Sequence, residues 1–213
     1  MEFWVLAGVP ATSFIVALSG ALMPGPLLTV TVGEAARRGF WAGPLIIVGH
    51  ALLELALVLL LLAGVGAWLH QPAILGLVGV LGAGMLGWMG LALMRASKHS
   101  RLEFDPQANS GLHPVLAGVF LSLANPYWLL WWLTIGLGYV MFSAKYGLTG
   151  VALFYVGHIL ADFVWYSLVS GAVAQGRRFL SDRLYQGFLA CCGLFLVGFG
   201  GYFGLQGVKF LLG

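Results

Sequence analysis

Charge is what this chain has least of. Charged residues make up 8% of its 213 positions, against about 25% in a soluble globular domain. A chain so poor in charge cannot solvate the surface of an ordinary soluble fold. With 61% hydrophobic residues and a mean hydropathy of +0.98 it reads instead as a polytopic, all-α membrane protein whose first partner is the lipid bilayer. The net charge of +3 and pI near 9.0 do not imply a nucleic-acid partner, because the ten basic residues lie in short loops with no basic face long enough to track phosphates. Cysteine is also scarce. Cys191 and Cys192 are adjacent, sit in the last apolar segment and lack a CxxC partner. They read as small packing residues, and a thiol-redox carrier, which needs cysteines on different helices, is set aside. The start Met1-Glu2-Phe3-Trp4 has no basic region ahead of the first apolar segment, so no cleavable signal peptide is expected. Neither an enzyme nor a cofactor is expected.

What is present are long apolar runs. A spanning helix needs roughly 20 mostly apolar residues. Six stretches qualify: Ala11 to Val32, Gly43 to Val65, Ala73 to Met94, Val115 to Leu137, Gly150 to Ala172, and Phe188 to about Leu205. The substantial polar segment, Arg95 to His113, reads as a cytoplasmic linker (95–113) between a first three-helix unit (1–94) and a second (114–213). Eight of the ten Lys and Arg fall in the first, third and fifth loops, leaving only Lys145 and Lys209 on the other side. That positive-inside bias places those three loops in the cytoplasm and both termini outside, for a multi-pass protein of the cell's inner membrane.

The two units say nearly the same thing. Gly49-His50-Ala51-Leu52-Leu53-Glu54 recurs as Gly157-His158-Ile159-Leu160-Ala161-Asp162, 108 positions on. Ser19 to Pro24 parallels Ser122 to Pro126, with Pro24 and Pro126 102 apart, and Gly84, Gly87, Trp88, Gly90 and Leu91 match Gly198, Gly201, Tyr202, Gly204 and Leu205 at 114. Landmarks in the same order, with spacing changes confined to loops, indicate internal duplication. Three helices per unit is an odd number, so the second must enter the membrane the other way round. That 3+3 inverted repeat is an architecture of secondary transporters, whose site lies near the midplane between the halves. A carrier is favoured over a structural or enzymatic role.

Three features point to chemistry. Pro24-Gly25-Pro26 and Asn125-Pro126 fall near the predicted helix centres, where proline removes an amide donor and clashes with a preceding carbonyl, so the helices should break or kink. The freed carbonyls of Gly20, Leu22 and Ser122 must then be met by protein groups, water or a ligand. Discontinuous helices in corresponding places mark binding sites. Second, Glu54 and Asp162 are the acids deep inside predicted spans, and holding a charge there costs at least about 2.5–3.5 kcal/mol. A pair that is protonated when empty and ionised around an ammonium group would exchange protons for a cationic solute. Third, His50 and His158 each precede their carboxylate by four residues and share its helix face. That spacing fits a proton relay, a divalent-metal site built from His50, Glu54, His158 and Asp162, or a hydrogen bond that only orients the ring. The glycine runs read as packing surfaces. Trp128, Trp131 and Trp132 read first as lipid-facing or interfacial aromatics and second as a wall for a cation.

Pro24-Gly25-Pro26 followed by Gly39, Gly43 and Gly49, then Asn125-Pro126 and Asp162-Phe163-Val164-Trp165, makes the chain resemble the LysE/RhtB family of amino-acid exporters over essentially its whole length. The resemblance implies efflux of amino acids or related amines, driven by a proton or cation gradient, by a six-helix carrier that often works as a homodimer. With it, Pro24, Gly25, Pro26, Asn125 and Pro126 would supply backbone dipoles to a zwitterion, and Glu54 and Asp162 would receive its ammonium or the coupling proton, helped by His50 and His158.

Overall fold

The computed structural model describes residues 2–65, 71–99, 112–176 and 181–212. Among them the chain is helical throughout, without strands, and six stretches are long and apolar enough to cross a membrane. In hydrocarbon only a helix satisfies its own backbone, so apolar runs of this length fold this way. The first unit holds α1 (Glu2–Ala21), α2 (Pro26–Arg38), α3 (Ala42–Leu60) and α4 (Pro72–Ser97). The second holds α5 (Pro114–Leu123), α6 (Pro126–Trp131), α7 (Leu137–Ala144), α8 (Gly147–Gly176) and α9 (Asp182–Leu212). A wide π turn, Leu61–Val65, closes α3, with Gly64 at φ 98°, a left-handed backbone that glycine adopts without strain. A second π turn, Trp132–Gly136, joins α6 to α7.

Two predicted spans are placed differently. The first was expected over Ala11 to Val32 with its break near the centre. Instead α1 starts at Glu2 and runs 20 residues, about 30 Å at 1.5 Å per residue, before the break. Pro24-Gly25-Pro26 therefore ends one helix and begins another, with Pro26 at the first turn of α2, where its missing N–H costs nothing. The fourth span was expected over Val115 to Leu137. It is divided at Ala124-Asn125 and extends to Ala144. The freed carbonyls of Gly20 and Ser122 are taken up locally, by the N–H groups of Met23 (3.1 Å) and Asn125 (3.0 Å). Most of the polar segment between the units, with Arg101, Glu103, Asp105 and Pro106, lies outside the described residues, as do His70, Arg177 and Arg178.

Helices of one unit pack mainly on helices of the other: α1 on α8, α3 on α5, and α4 along α9. Glycine sets the approach. A Cβ on Gly49 would run into the Val115 carbonyl oxygen of α5, one on Gly118 into the Ile46 carbonyl oxygen of α3, and one on Gly157 into the Pro10 carbonyl of α1. Gly79 and Gly207 meet in the same way between α4 and α9, whereas Gly84, Gly87, Gly198 and Gly201 face open space. Large apolar side chains such as Ile15, Leu81, Leu168 and Leu205 cover the outside, as a bilayer-facing surface requires. Cys192 is buried and Cys191 exposed, adjacent on one helix.

Candidate functional site

Because Gly49 and Gly157 draw α3 and α8 into the interior, the polar residues that follow them are carried to one place. His50, Glu54, His158 and Asp162 are 6%, 1%, 4% and 5% exposed, and all four meet. His50 Nε2 lies 3.1 Å from Glu54 Oε1, and His158 Nε2 lies 3.0 Å from Glu54 Oε2. Asp162 Oδ2 stands 3.9 Å from His50 Nε2 and 3.8 Å from His158 Nε2, beyond hydrogen-bond reach, and has no hydrogen-bond partner among the described residues.

Glu54 is further held by α6 and its continuation. The indole N–H groups of Trp128 and Trp132 both donate to Oε1, at 2.9 and 2.8 Å. With Oε1 serving as an acceptor on two sides, a proton carried by Glu54 itself would sit on Oε2. The histidine tautomer follows from Ser122. Its hydroxyl donates to the Gly118 carbonyl at 2.7 Å, so toward His50 Nδ1, 2.6 Å away, it accepts. His50 Nδ1 therefore carries hydrogen, and Nε2 is the ring nitrogen that faces Glu54. The His158 ring stands among Trp131, Trp132 and Phe154, with centroids 5.0, 5.2 and 5.8 Å away.

The cluster lines one side of a cavity whose empty space, open mouth included, is about 680 Å³. The two helix breaks form part of its wall and differ in kind. At α6, Asn125 caps the helix with its own side chain, Oδ1 accepting from the Tyr127 N–H at 3.1 Å. At α2, the cap is Gly25, extended at φ −164° and ψ −172°, with no side-chain cap bond. The first turn of α2, through Gly25, Leu27 and Leu28, lines the same cavity as Asp162, at the positive end of that helix's dipole.

Of the residues expected to form a site, His50, Glu54, His158, Asp162, Pro24, Gly25 and Asn125 line this cavity. Pro26 and Pro126 do not: they start α2 and α6, and Pro126 packs where a Cβ on Gly82 would be 3.2 Å away. The tryptophans correct an expectation. Trp128, Trp131 and Trp132 are buried at 9%, 5% and 1% exposure, not lipid-facing, and two of them bind the Glu54 carboxylate through their N–H groups. The clue was available, since positions 128 and 132 share a helix face and an indole N–H in a membrane needs an acceptor. A third buried carboxylate, Glu34, stands just past the expected end of the first span at Val32. It lies at 5% exposure near the end of α2 and pairs with Arg37 and with Arg38 (2.7 Å).

The LysE type translocator family matches residues 18–207 of the chain. Over 204 residues, 93% of this chain and 96% of the relative, the sequence is 24% identical to the Bacillus subtilis (strain 168) protein named "Putative amino acid efflux protein YcgF". It is also 24% identical over 185 residues, 84% of this chain and 88% of the relative, to the Pseudomonas aeruginosa "Chemotactic transduction protein ChpE". No solved structure is a significant match.

Proposed function

Since this chain belongs to the LysE type translocator family, we propose that it exports amino acids or related amines across the inner membrane by alternating access, exchanging them for protons. The observation that carries this is the buried Asp162 carboxylate, whose Oδ2 accepts no hydrogen bond from the described residues, sharing a cavity with the first turn of α2, which has no side-chain cap. A zwitterion has one group for each: its ammonium for Asp162, its carboxylate for the helix dipole. When the cavity is empty, a proton held among Asp162, His50 and His158 takes the place of the ammonium. Substrate and proton then exclude one another, which is the requirement of an exchanger. One proton moving inward contributes about 2.3 kcal/mol per 100 mV of membrane potential.

The two units act as halves of a 3+3 inverted repeat in this scheme. In support, the first helix of each unit packs on the second helix of the other, α1 on α8 and α5 on α3, and the third helices, α4 and α9, pair. Trp88 and Tyr202, matched in the repeat, are 68% and 54% exposed on the outer face. The helix ends bearing Arg37 and Arg38, Arg95 and Lys98, and Arg183 would face the cytoplasm, and both termini the outside, by the positive-inside bias. Exchange of labelled amino acids in proteoliposomes tests the assignment. Glu54→Gln combined with Asp162→Asn abolishes it if the carboxylates act as described, and unchanged exchange by that double variant would show that they do not.

A divalent cation is the second candidate cargo. His50, Glu54 and Asp162 offer ligand atoms all within 4.8 Å of one another, and the Ser122 bond to His50 Nδ1 is the kind of outer partner that metal-binding imidazoles have. Against it, Glu54 Oε1 is already committed to two indole donors.

A further inference from the structure

We infer that the solute is a neutral amino acid with a bulky aliphatic or aromatic side chain, excluding basic and acidic ones; this rests on the exchanger proposed above and specifies its substrate. The charges in the cavity allow only one ammonium and one carboxylate. Among the described residues its wall contains no Lys or Arg, and its two imidazoles already stand against Glu54, so a substrate with a second carboxylate finds no free counter-charge. Its acids are Glu54 and Asp162, and Glu54 is enclosed by two indole N–H groups and both imidazoles. A lysine side chain would therefore bring a second ammonium with no free carboxylate to receive it, at a depth where unpaired charge is strongly disfavoured.

The rest of the wall is apolar and aromatic. Across the cavity, α9 contributes Phe195, Leu196 and Phe199, the two phenylalanines stacked with centroids 5.3 Å apart, and Tyr127 of α6 meets Phe199 edge-on at 5.2 Å. The Tyr127 hydroxyl is turned away onto the Ser19 carbonyl at 3.4 Å, leaving its ring to the cavity. With the backbone groups of the solute engaged at α2 and Asp162, its side chain is left to this surface.

Competition in proteoliposome counterflow decides the matter. Leucine, methionine and phenylalanine should show KM values at least about tenfold below that of alanine, a difference of the size one to a few methylenes provide in an apolar pocket. Lysine and glutamate should not compete, and Phe199→Ala should narrow the ratio of leucine to alanine. Lysine or alanine transported as well as leucine, or a ratio unmoved in a folded Phe199→Ala protein, would overturn the inference while leaving the exchanger intact. If Phe199→Ala does not fold, the wild-type profile alone decides. Absence of exchange with every amino acid would remove the exchanger and this specificity together.

Discussion

Replacing Glu54 by glutamine and by alanine separates what its charge does from what its oxygen does. In Glu54→Ala, the indole N–H groups of Trp128 and Trp132, now at 2.9 and 2.8 Å from Oε1, lose their acceptor inside an apolar cluster. An unsatisfied buried donor costs about 1–3 kcal/mol, so the pair costs about 2–6 kcal/mol. In Glu54→Gln, the two indoles fix the amide: its oxygen must face them, which directs the NH₂ toward His158 Nε2, 3.0 Å from the present Oε2. Both indole bonds survive, weakened from charge-assisted to neutral by about 1–3 kcal/mol in all. Removing a buried charge offsets part of that loss. The alanine protein should thus melt well below the glutamine protein in detergent, while neither exchanges amino acids in proteoliposomes. Equal melting temperatures would refute the indole clamp. Exchange at the wild-type rate by the glutamine protein would refute the need for the charge.

Gly49→Ala and Gly118→Ala should each destabilise the protein by about 3 kcal/mol or more, because each Cβ would meet a backbone carbonyl that cannot move aside, whereas Gly84→Ala, facing open space, should be neutral; detergent melting curves check all three. Ser122→Ala removes the acceptor of the His50 Nδ1–H bond and should slow exchange about tenfold, the equivalent of roughly 1.4 kcal/mol, with Ser122→Thr restoring it. Calorimetry with zinc, cadmium and manganese should give no stoichiometric binding heat. A heat abolished by His50→Ala or His158→Ala would instead establish the metal cargo.

The spans, the breaks and the four titratable residues were legible because each obeys a local rule: length for the spans, proline chemistry for the breaks, and the cost of charge in hydrocarbon for Glu54 and Asp162. Convergence of His50 and His158 on the same carboxylates was legible only as a possibility of the repeat, since it depends on where Gly49 and Gly157 let their helices settle. The tryptophans were misplaced for a different reason. Amphipathic aromatics usually sit at the membrane interface, and the shared face of positions 128 and 132 says that an acceptor is needed without saying that it comes from α3. Glu34 was hidden likewise, because the first span was expected to end at Val32 and α2 instead continues as a packed helix to Arg38.

The departures from repetition bear most directly on mechanism. Capping roles pair Gly25 with Asn125 and Pro26 with Pro126, an offset of 100 rather than the 102 that matches Pro24 to Pro126. At that offset Trp128 and Trp132 correspond to Leu28 and Val32. The second unit therefore gives Glu54 Oε1 two N–H donors, while no described residue of the first donates to Asp162 Oδ2. The caps differ in the same sense: Asn125 closes the α6 N-terminus upon itself and Gly25 leaves that of α2 open. An inverted repeat supplies two equivalent carboxylates and two equivalent helix ends. In the exchanger proposed above only one of each would then stay open to the solute, with Glu54 holding the histidines and Asp162 exchanging its partner. Substrate binding measured by calorimetry should then fall about 10- to 150-fold in Asp162→Asn, the worth of one charge-assisted bond of about 1.5–3 kcal/mol, and less than tenfold in Glu54→Gln. Equal losses in the two proteins would mean that the carboxylates share the ammonium and that the asymmetry of their surroundings has no part in binding.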